Sequence, residues 1–181
     1  MKKTEIGRRE KEKTMFKRKD VLKKSLKAFV CVAILATVQN SMVLAADVAI
    51  NENNFPDEVF RALVTENFDT DKNNKLSETE IAAVTEIKCG SKGIMSLQGV
   101  EYFTALEKLT CSGNSLSSLD VSQNKSLNYL ECMDNSISSL SLNENANFTG
   151  LYCGNNQLKS LDVSRYTELW SLWCGGNHLN P

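Results

Sequence analysis

The stretch Leu106-Glu107-Lys108-Leu109-Thr110-Cys111-Ser112-Gly113-Asn114 decides the fold, because related stretches follow it at intervals of 21 residues. They cover residues 127–135, 148–156 and 169–177, and each places an apolar residue, a leucine, a cysteine and an asparagine at the same four positions. A repeat of this length predicts a solenoid, in which each coil of chain stacks on the next. Such a fold exposes a long continuous surface, which is typical of proteins that bind.

The apolar residues of each unit show which side chains point inward. In the first unit they are Leu106, Leu109, Cys111, Leu116, Leu119 and Val121, and matching residues recur one period later. Burying six such side chains contributes about 10 kcal/mol, whereas fixing the backbone costs about 1–2 kcal/mol for every residue of the unit. One unit therefore cannot fold alone. The sequence predicts stacked coils that share a parallel strand face and run over residues 84–181, about 4.5 coils with an incomplete last one.

An asparagine closes the strand segment of every unit. These residues are Asn114, Asn135, Asn156 and Asn177. An amide side chain offers both a donor and an acceptor, so a stacked column of amides can satisfy the backbone groups that a turn leaves unpaired. We therefore predict a structural column of asparagines. The alternative is four loop asparagines at a coincidental spacing.

Five of the six cysteines recur once per coil. They are Cys89, Cys111, Cys132, Cys153 and Cys174, whereas Cys31 lies in an apolar N-terminal stretch. Strand spacing places neighbours in such a column about 5 Å apart, within the range that disulfides accept. Parallel side-chain directions favour buried thiols that act as small apolar fillers, and one or two disulfides are the alternative. Zinc is not expected, because the chain has no C-x-x-C motif and His178 is its only histidine.

The N-terminal segment has the pattern of a secretory signal. Residues 1–27 carry 12 Lys and Arg against 4 Asp and Glu, residues 28–38 carry no charge, and Val43-Leu44-Ala45-Ala46 then supplies a small-residue cleavage site after Ala45 or Ala46. This order predicts a signal peptide over residues 1–46 and a secreted or extracellular surface location, without stable membrane insertion after cleavage. The alternative is an uncleaved anchor, because residues 28–46 carry no charge.

Removal of residues 1–46 leaves 9 Lys and Arg against 18 Asp and Glu, a formal net charge of −9. A negative charge of this size argues against nucleic acid and anionic membranes as partners. It favours solubility and cation binding.

A calcium-like loop lies between the signal segment and the repeats. Residues 69–80 follow the twelve-residue EF-hand pattern, except that Asn74 stands where glycine is usual. The predicted oxygen ligands are Asp69, Asp71, Asn73, the Lys75 carbonyl, Ser77 and Glu80. We expect a structural calcium ion here, and the alternative is a polar turn built from capping residues.

Helical patterns flank this loop. Residues 55–58 resemble a helix start, and an apolar face at helical spacing follows, formed by Val59, Phe60, Leu63, Val64 and Phe68. Ser77 and Glu80 form a capping box for a second helix through Ala83. Residues 47–83 are therefore predicted to form a helix–loop–helix cap that covers the first coil.

The variable positions of the strands supply a candidate binding surface. Aromatic and acidic residues there are Tyr129, Glu131, Tyr152, Trp170 and Trp173. Exposed tyrosine and tryptophan are enriched in binding hot spots, and aromatic rings also stack on sugars. The alternative is ordinary strand filling. No catalytic residues are predicted, because His178 is the sole histidine and no nucleophile has an evident base.

The segment Leu109 to Ser122 and its copies resemble the cysteine-containing, 21-residue leucine-rich repeats of secreted internalin-like bacterial surface proteins. Residues 54–104 resemble the EF-hand-like cap that precedes such arrays. The resemblance implies an α/β solenoid, a right-handed leucine-rich repeat array with a parallel β-strand face. It also implies non-catalytic recognition of a protein or glycan through the concave face. Relatives carry more repeats and a C-terminal domain, whereas this chain stops at Pro181, so self-association of a truncated structural array through its open last coil is the alternative.

Overall fold

The computed structural model describes residues 47–144 and 147–180, which form one compact unit. The predicted signal segment, with Cys31, lies outside the described residues. Within them, no helix is long and apolar enough to cross a membrane.

The described chain begins with a small cap. Its elements are β1 (Val48–Ala49), α1 (Glu58–Phe68), β2 (Lys75–Leu76) and α2 (Glu78–Ala83). Strands β1 and β2 pair antiparallel, with Val48 opposite Leu76. This pairing ties the segment before α1 to the loop that follows it.

Each of these two helices begins at a residue whose side chain accepts a backbone N–H of the first helical turn. The Asp57 carboxylate accepts the backbone N–H of Phe60 at 2.9 Å at the start of α1. At the start of α2, Ser77 and Glu80 form the predicted capping box. Helix α1 buries Phe60, Leu63 and Val64 as predicted. The prediction for Val59 was wrong, since it is 42% exposed; it precedes Phe60 by one position and therefore faces away from that buried side of the helix.

The repeats form a parallel sheet of five short strands. These are β3 (Glu86–Lys88), β4 (Lys108–Thr110), β6 (Tyr129–Glu131), β8 (Gly150–Tyr152) and β9 (Ser171–Trp173), in that spatial order. Their central residues Ile87, Leu109, Leu130, Leu151 and Leu172 lie in register. The predicted parallel-strand solenoid is confirmed.

The return segments of the coils contain no α-helix among the described residues. The return segment of the first coil contains a 3₁₀ turn (Val100–Tyr102). The return segments of the next two coils contain the short strands β5 (Ser118–Asp120) and β7 (Ser139–Ser141), which pair in parallel. The core between the two sheets is a single apolar cluster that continues into the cap. The cap covers the first coil through Phe55, which is fully buried. The centres of the Phe55 and Tyr102 rings are 5.7 Å apart.

The asparagine of each coil bridges that coil to the one before it. The Nδ2 group of Asn156, for example, donates to the carbonyls of Cys132 at 2.9 Å and Cys153 at 3.1 Å. Its Oδ1 atom accepts the backbone N–H of Ile137 at 2.9 Å. Equivalent bonds are made by Asn114, Asn135 and Asn177. These buried or half-buried amides therefore replace the backbone partners that the turn removes.

The five cysteines occupy equivalent positions, each directly after a strand of the five-stranded sheet. The backbone N–H of Cys111 donates to the carbonyl of Glu131 in the next coil at 2.7 Å. The N–H groups of Cys132 and Cys153 likewise donate to the carbonyls of Tyr152 and Trp173 in the coil that follows each of them. All five are free thiols; four are buried, and Cys174 is half-buried. Burial raises the pKa of Cys89 and of Cys153 to about 12. The thiols are therefore held in their neutral, weakly nucleophilic form.

Candidate functional site

The outward-pointing residues of the five-stranded sheet form a continuous surface, which we call the strand face. Register places them in two columns, one on each side of the buried central residues. The first column is Glu86, Lys108, Tyr129, Gly150 and Ser171. The second is Lys88, Thr110, Glu131, Tyr152 and Trp173. The face is charged at its cap end and aromatic at its other end.

Salt bridges organise the charged end. The Glu86 carboxylate accepts Lys88 Nζ at 2.7 Å and Lys108 Nζ at 3.4 Å. These lysines, Lys88 first, hold the pKa of Glu86 below its ordinary value. Lys108 Nζ also lies 4.8 Å from the centre of the Tyr129 ring, within the range of a cation–π interaction. The ammonium group thereby joins the charged and aromatic parts of the face.

Polar contacts hold the middle of the face. The Tyr129 hydroxyl donates to Glu131 Oε2 at 3.4 Å, and Ser112 Oγ donates to Glu131 Oε1 at 3.3 Å. Partial burial, followed by the nearby Glu131 charge, raises the pKa of Tyr129. The Tyr129 and Tyr152 ring centres are 5.4 Å apart at an interplanar angle of 40°. Since Tyr152 Oη is also 2.7 Å from Ser171 Oγ, contacts link β6, β8 and β9 across the face.

The two tryptophans are the most exposed aromatic residues of this surface. Trp173, on β9, is 60% exposed, and Trp170, just before β9, is 75% exposed. Within the described residues, neither forms an aromatic ring pair with the tyrosines. The structure thus places Tyr129, Glu131, Tyr152 and Trp173 on one face, with Trp170 immediately before its last strand.

The predicted calcium-like loop brings three carboxylates together. One oxygen each from Asp69, Asp71 and Glu80 lies within 4.8 Å of the others. Asp69 and Glu80 are buried, and Asp71 is exposed. Asn74 has a φ of 60°, so it adopts the left-handed conformation that the sixth loop position requires. Asn73 and Ser77 lie in the same loop, and Asn73 Oδ1 accepts the backbone N–H of Lys75 at 2.8 Å.

Glu80 closes this loop through hydrogen bonds. Its Oε1 accepts the backbone N–H and the hydroxyl of Thr70, both at 2.7 Å. Its Oε2 accepts the backbone N–H of Ser77 at 2.9 Å and the Ser77 hydroxyl at 2.8 Å. These donors, with the Ser77 backbone first, lower the pKa of Glu80 to about 2. The carboxylate is therefore ionised at neutral pH, and these four donors occupy its lone-pair sites, so a bound cation would have to replace some of them.

The donor set fits a hard divalent cation. Three carboxylates converge on one point, and the salt bridges of the described residues involve none of them. Calcium takes carboxylate, amide and carbonyl oxygens, which are the donor types of this loop. Asp69, Asp71, Asn73, Lys75, Ser77 and Glu80 would hold such an ion, and the ion would neutralise the convergent negative charge.

Sequence comparison finds a bacterial relative of this chain. No protein-family model matches the chain. Internalin J of Listeria monocytogenes serotype 4b is 36% identical over 70 residues, which is 39% of this chain and 8% of that protein. The chain therefore spans only a small part of the curated relative that it matches.

Comparison with solved structures also identifies internalins as similar proteins. The functional domain of internalin J, which includes a cysteine ladder, superposes with a TM-score of 0.68 and 32% identity over 76% of this chain and 30% of that domain. The described residues form an internalin-like leucine-rich repeat array. Internalin F of Listeria monocytogenes shares the fold at a TM-score of 0.51, with 22% identity, over 75% of this chain and 48% of that structure.

Some residues of the strand face were not predicted from the sequence. Glu86, Lys88 and Lys108 were not predicted as site residues, although the 21-residue register, 22 in the first coil, places them in the same two columns. Ser112 was also missed, because it lies beyond the strand and reaches Glu131 only through its side chain.

Proposed function

We propose that the array is a non-catalytic recognition module that binds a protein partner through the strand face, the predicted concave surface. The observation that carries this proposal is the aromatic end of the face, where Tyr129, Tyr152 and Trp173 lie on adjacent strands. Trp173 exposes a large apolar surface, and exposed aromatic residues are the type enriched in hot spots. The similarity to internalins supports a binding role.

Fixed side chains favour this surface over others. Tyr129 is held by Lys108, Glu131 and Tyr152, and Tyr152 is held by Ser171. A partner that binds such a surface has less side-chain freedom to remove, so preorganisation improves affinity. His178, the sole histidine of the chain, is exposed and directly follows Asn177.

Binding measurements with surface variants test this proposal. Protein and glycan arrays are probed with the wild-type chain, with Tyr152→Ala and with Trp173→Ala. Ser138→Ala is the matched control, because Ser138 is exposed beside β7 on the other sheet. We expect a protein ligand whose capture falls in both aromatic variants and is unchanged in the control. Capture of a glycan instead of a protein would show that the ligand is a glycan. Capture that is unaffected by both aromatic variants would show that the binding site lies elsewhere.

Self-association is a second candidate function, and it rests on the last described coil. Leu172 is 42% exposed, whereas Leu109, Leu130 and Leu151, at the same position, are fully buried. Strand β9 pairs only with β8 among the described residues. A second copy seated on this edge would cover Leu172. Light scattering across concentration tests this candidate: Leu172→Glu should abolish a concentration-dependent rise in mass, and a strictly monomeric wild type would eliminate the assembly.

We further propose that the cap loop binds calcium in a structural role. The three convergent carboxylates and the left-handed Asn74 support this proposal. Calcium would reduce the repulsion among Asp69, Asp71 and Glu80 and so stabilise the cap over the first coil. The secreted or surface location predicted from the N-terminal segment is proposed together with it, since extracellular modules fill weak calcium sites.

A further inference from the structure

Two glycines, Gly150 on the strand face and Gly154 just beyond β8, stand where some other coils carry side chains. Gly150 occupies the column that holds Lys108, Tyr129 and Ser171. Gly154 directly follows Cys153; the equivalent residues are Ser112 and Met133 in the two preceding coils, and Gly90 and Gly175 in the first and last coils. The fold therefore accommodates a side chain at each position in some coils, so the local surroundings decide whether one fits.

Backbone conformation does not supply that reason. The glycines with positive φ are Gly93, Gly99, Gly113 and Gly176, and neither Gly150 nor Gly154 is among them. A side chain at either position would therefore meet no strain from φ. The space around each glycine is the remaining explanation.

An indole ring fills the space above Gly154. A Cβ atom added to this residue would lie 2.5 Å from Cδ1 and 2.6 Å from Nε1 of Trp173, distances that real Cβ atoms do not show. Gly154 is buried even though Trp173 is 60% exposed. The indole thus covers the glycine and leaves much of its own surface open to solvent.

Two phenol rings fill the space above Gly150. A Cβ atom there would lie 2.9 Å and 3.1 Å from ring carbons of Tyr129 and 3.2 Å from a ring carbon of Tyr152. Gly150 is also buried. Gly150 lies opposite Tyr129 and two residues before Tyr152, so one ring closes over it from the neighbouring strand and the other from its own strand.

We propose that Gly150 and Gly154 are positioning residues for the strand face, because their missing side chains let the rings of Tyr129, Tyr152 and Trp173 lie against the sheet backbone. The function of this arrangement rests on the proposed recognition role, since it fixes which ring surfaces a partner meets. A methyl group at either position would lift a ring from the sheet and free its rotamers. The shape of the aromatic surface would then be lost without removal of any aromatic residue.

Tryptophan fluorescence tests the Gly154 part without any partner. Trp170→Phe leaves Trp173 as the single tryptophan of the chain, which contains two. In that background Gly154→Ala should shift the emission maximum to longer wavelength and increase quenching by acrylamide. Gly175→Ala is the matched control, because a Cβ there meets nothing within 4 Å and its φ is not in the left-handed region. It should leave both signals unchanged.

A double-variant cycle separates positioning from backbone packing, since a Cβ on Gly154 would also lie 3.1 Å from the Gly175 carbonyl. We expect Gly154→Ala to lower the melting temperature when Trp173 is present and to have no such effect in Trp173→Ala. Gly150→Ala should likewise change the near-ultraviolet circular dichroism of the tyrosines, but not in Tyr129→Ala/Tyr152→Ala. An equal loss of melting temperature with and without Trp173, or unchanged Trp173 fluorescence in Gly154→Ala, would overturn the proposal. Because neither measurement involves a partner, these results are independent of whether the strand face binds one.

Discussion

The side-chain oxygen of Asn156 accepts the backbone N–H of Ile137, 19 residues earlier in the chain, at 2.9 Å. The same amide donates to two cysteine carbonyls, one in each of two adjacent coils. Both coils thus depend on one buried side chain. This relationship explains why an asparagine recurs in the four coils that follow the first.

Asn156→Ala should lower the free energy of unfolding by about 1–3 kcal/mol, because it leaves the buried backbone N–H of Ile137 without a partner. The carbonyls of Cys132 and Cys153 keep the amides of Asn135 and Asn177 as donors. Urea unfolding measures the change. Gln157→Ala is the control, because Gln157 is exposed, and it should stay within about 0.5 kcal/mol of the wild type. Equal losses in the two variants would contradict the bridging role of the amide.

The cysteine column predicts selective alkylation. Burial holds the pKa of Cys89 and Cys153 at about 12 and that of Cys111 well above its ordinary value, and only Cys174 is partly exposed. Iodoacetamide at pH 8 should therefore modify Cys174 first, while the other four react only after denaturation. Peptide mapping by mass spectrometry checks this order. Rapid modification of Cys111 in the native protein would contradict the burial of the cysteine column.

Calcium should stabilise the cap if the loop binds it. A dissociation constant of about 10⁻⁴ to 10⁻³ M corresponds to about 1.4–2.7 kcal/mol at 10 mM calcium. We expect the melting temperature to rise with calcium and to fall in EDTA. Asp71→Ala should remove this response with little effect in EDTA, because Asp71 is exposed and bonds only to Asn73 among the described residues. An identical wild-type melt in EDTA and in calcium would eliminate the site.

Glu80 predicts an acid-sensitive cap. Its pKa is about 2 in the folded protein against an ordinary 4.5, so its contribution to stability is complete above pH 4.5 and is lost as the pH falls toward 2. In EDTA, the wild-type melting temperature should decline over this window. Glu80→Gln should melt lower at neutral pH and show a smaller decline. Glu78→Gln, an exposed carboxylate in the same helical turn, should keep the wild-type slope.

Periodicity explains how much of the fold could be predicted. A spacing of 21 residues fixes which side chains stack, so the positions of Leu109, Leu130 and Leu151 on adjacent strands followed from the sequence. The capping box of Ser77 and Glu80 is also local, and it was predicted correctly. Strand β1, in contrast, has only two residues and no periodic pattern, and it exists because Leu76 and Lys75 pair with it.

The details of the strand face depend on contacts between coils that periodicity does not encode. The sequence places Tyr129, Tyr152 and Trp173 on one face, but the closure of these rings over Gly150 and Gly154 depends on their rotamers. The bridge from Lys108 to Glu86 likewise requires two particular side chains to meet across neighbouring strands. Strands β5 and β7 were not predicted, because polar residues such as Ser118 and Asp120 surround their single leucine.

Site-specific photo-crosslinking tests recognition through the strand face most directly. A benzophenone amino acid replaces Tyr152 on that face or Ser138 beside the opposite sheet, and the protein is irradiated with the ligand identified on the arrays. We expect a covalent adduct from position 152 that is lost when Trp173→Ala is added, and none from position 138. An adduct from position 138 with none from position 152 would contradict recognition through the strand face.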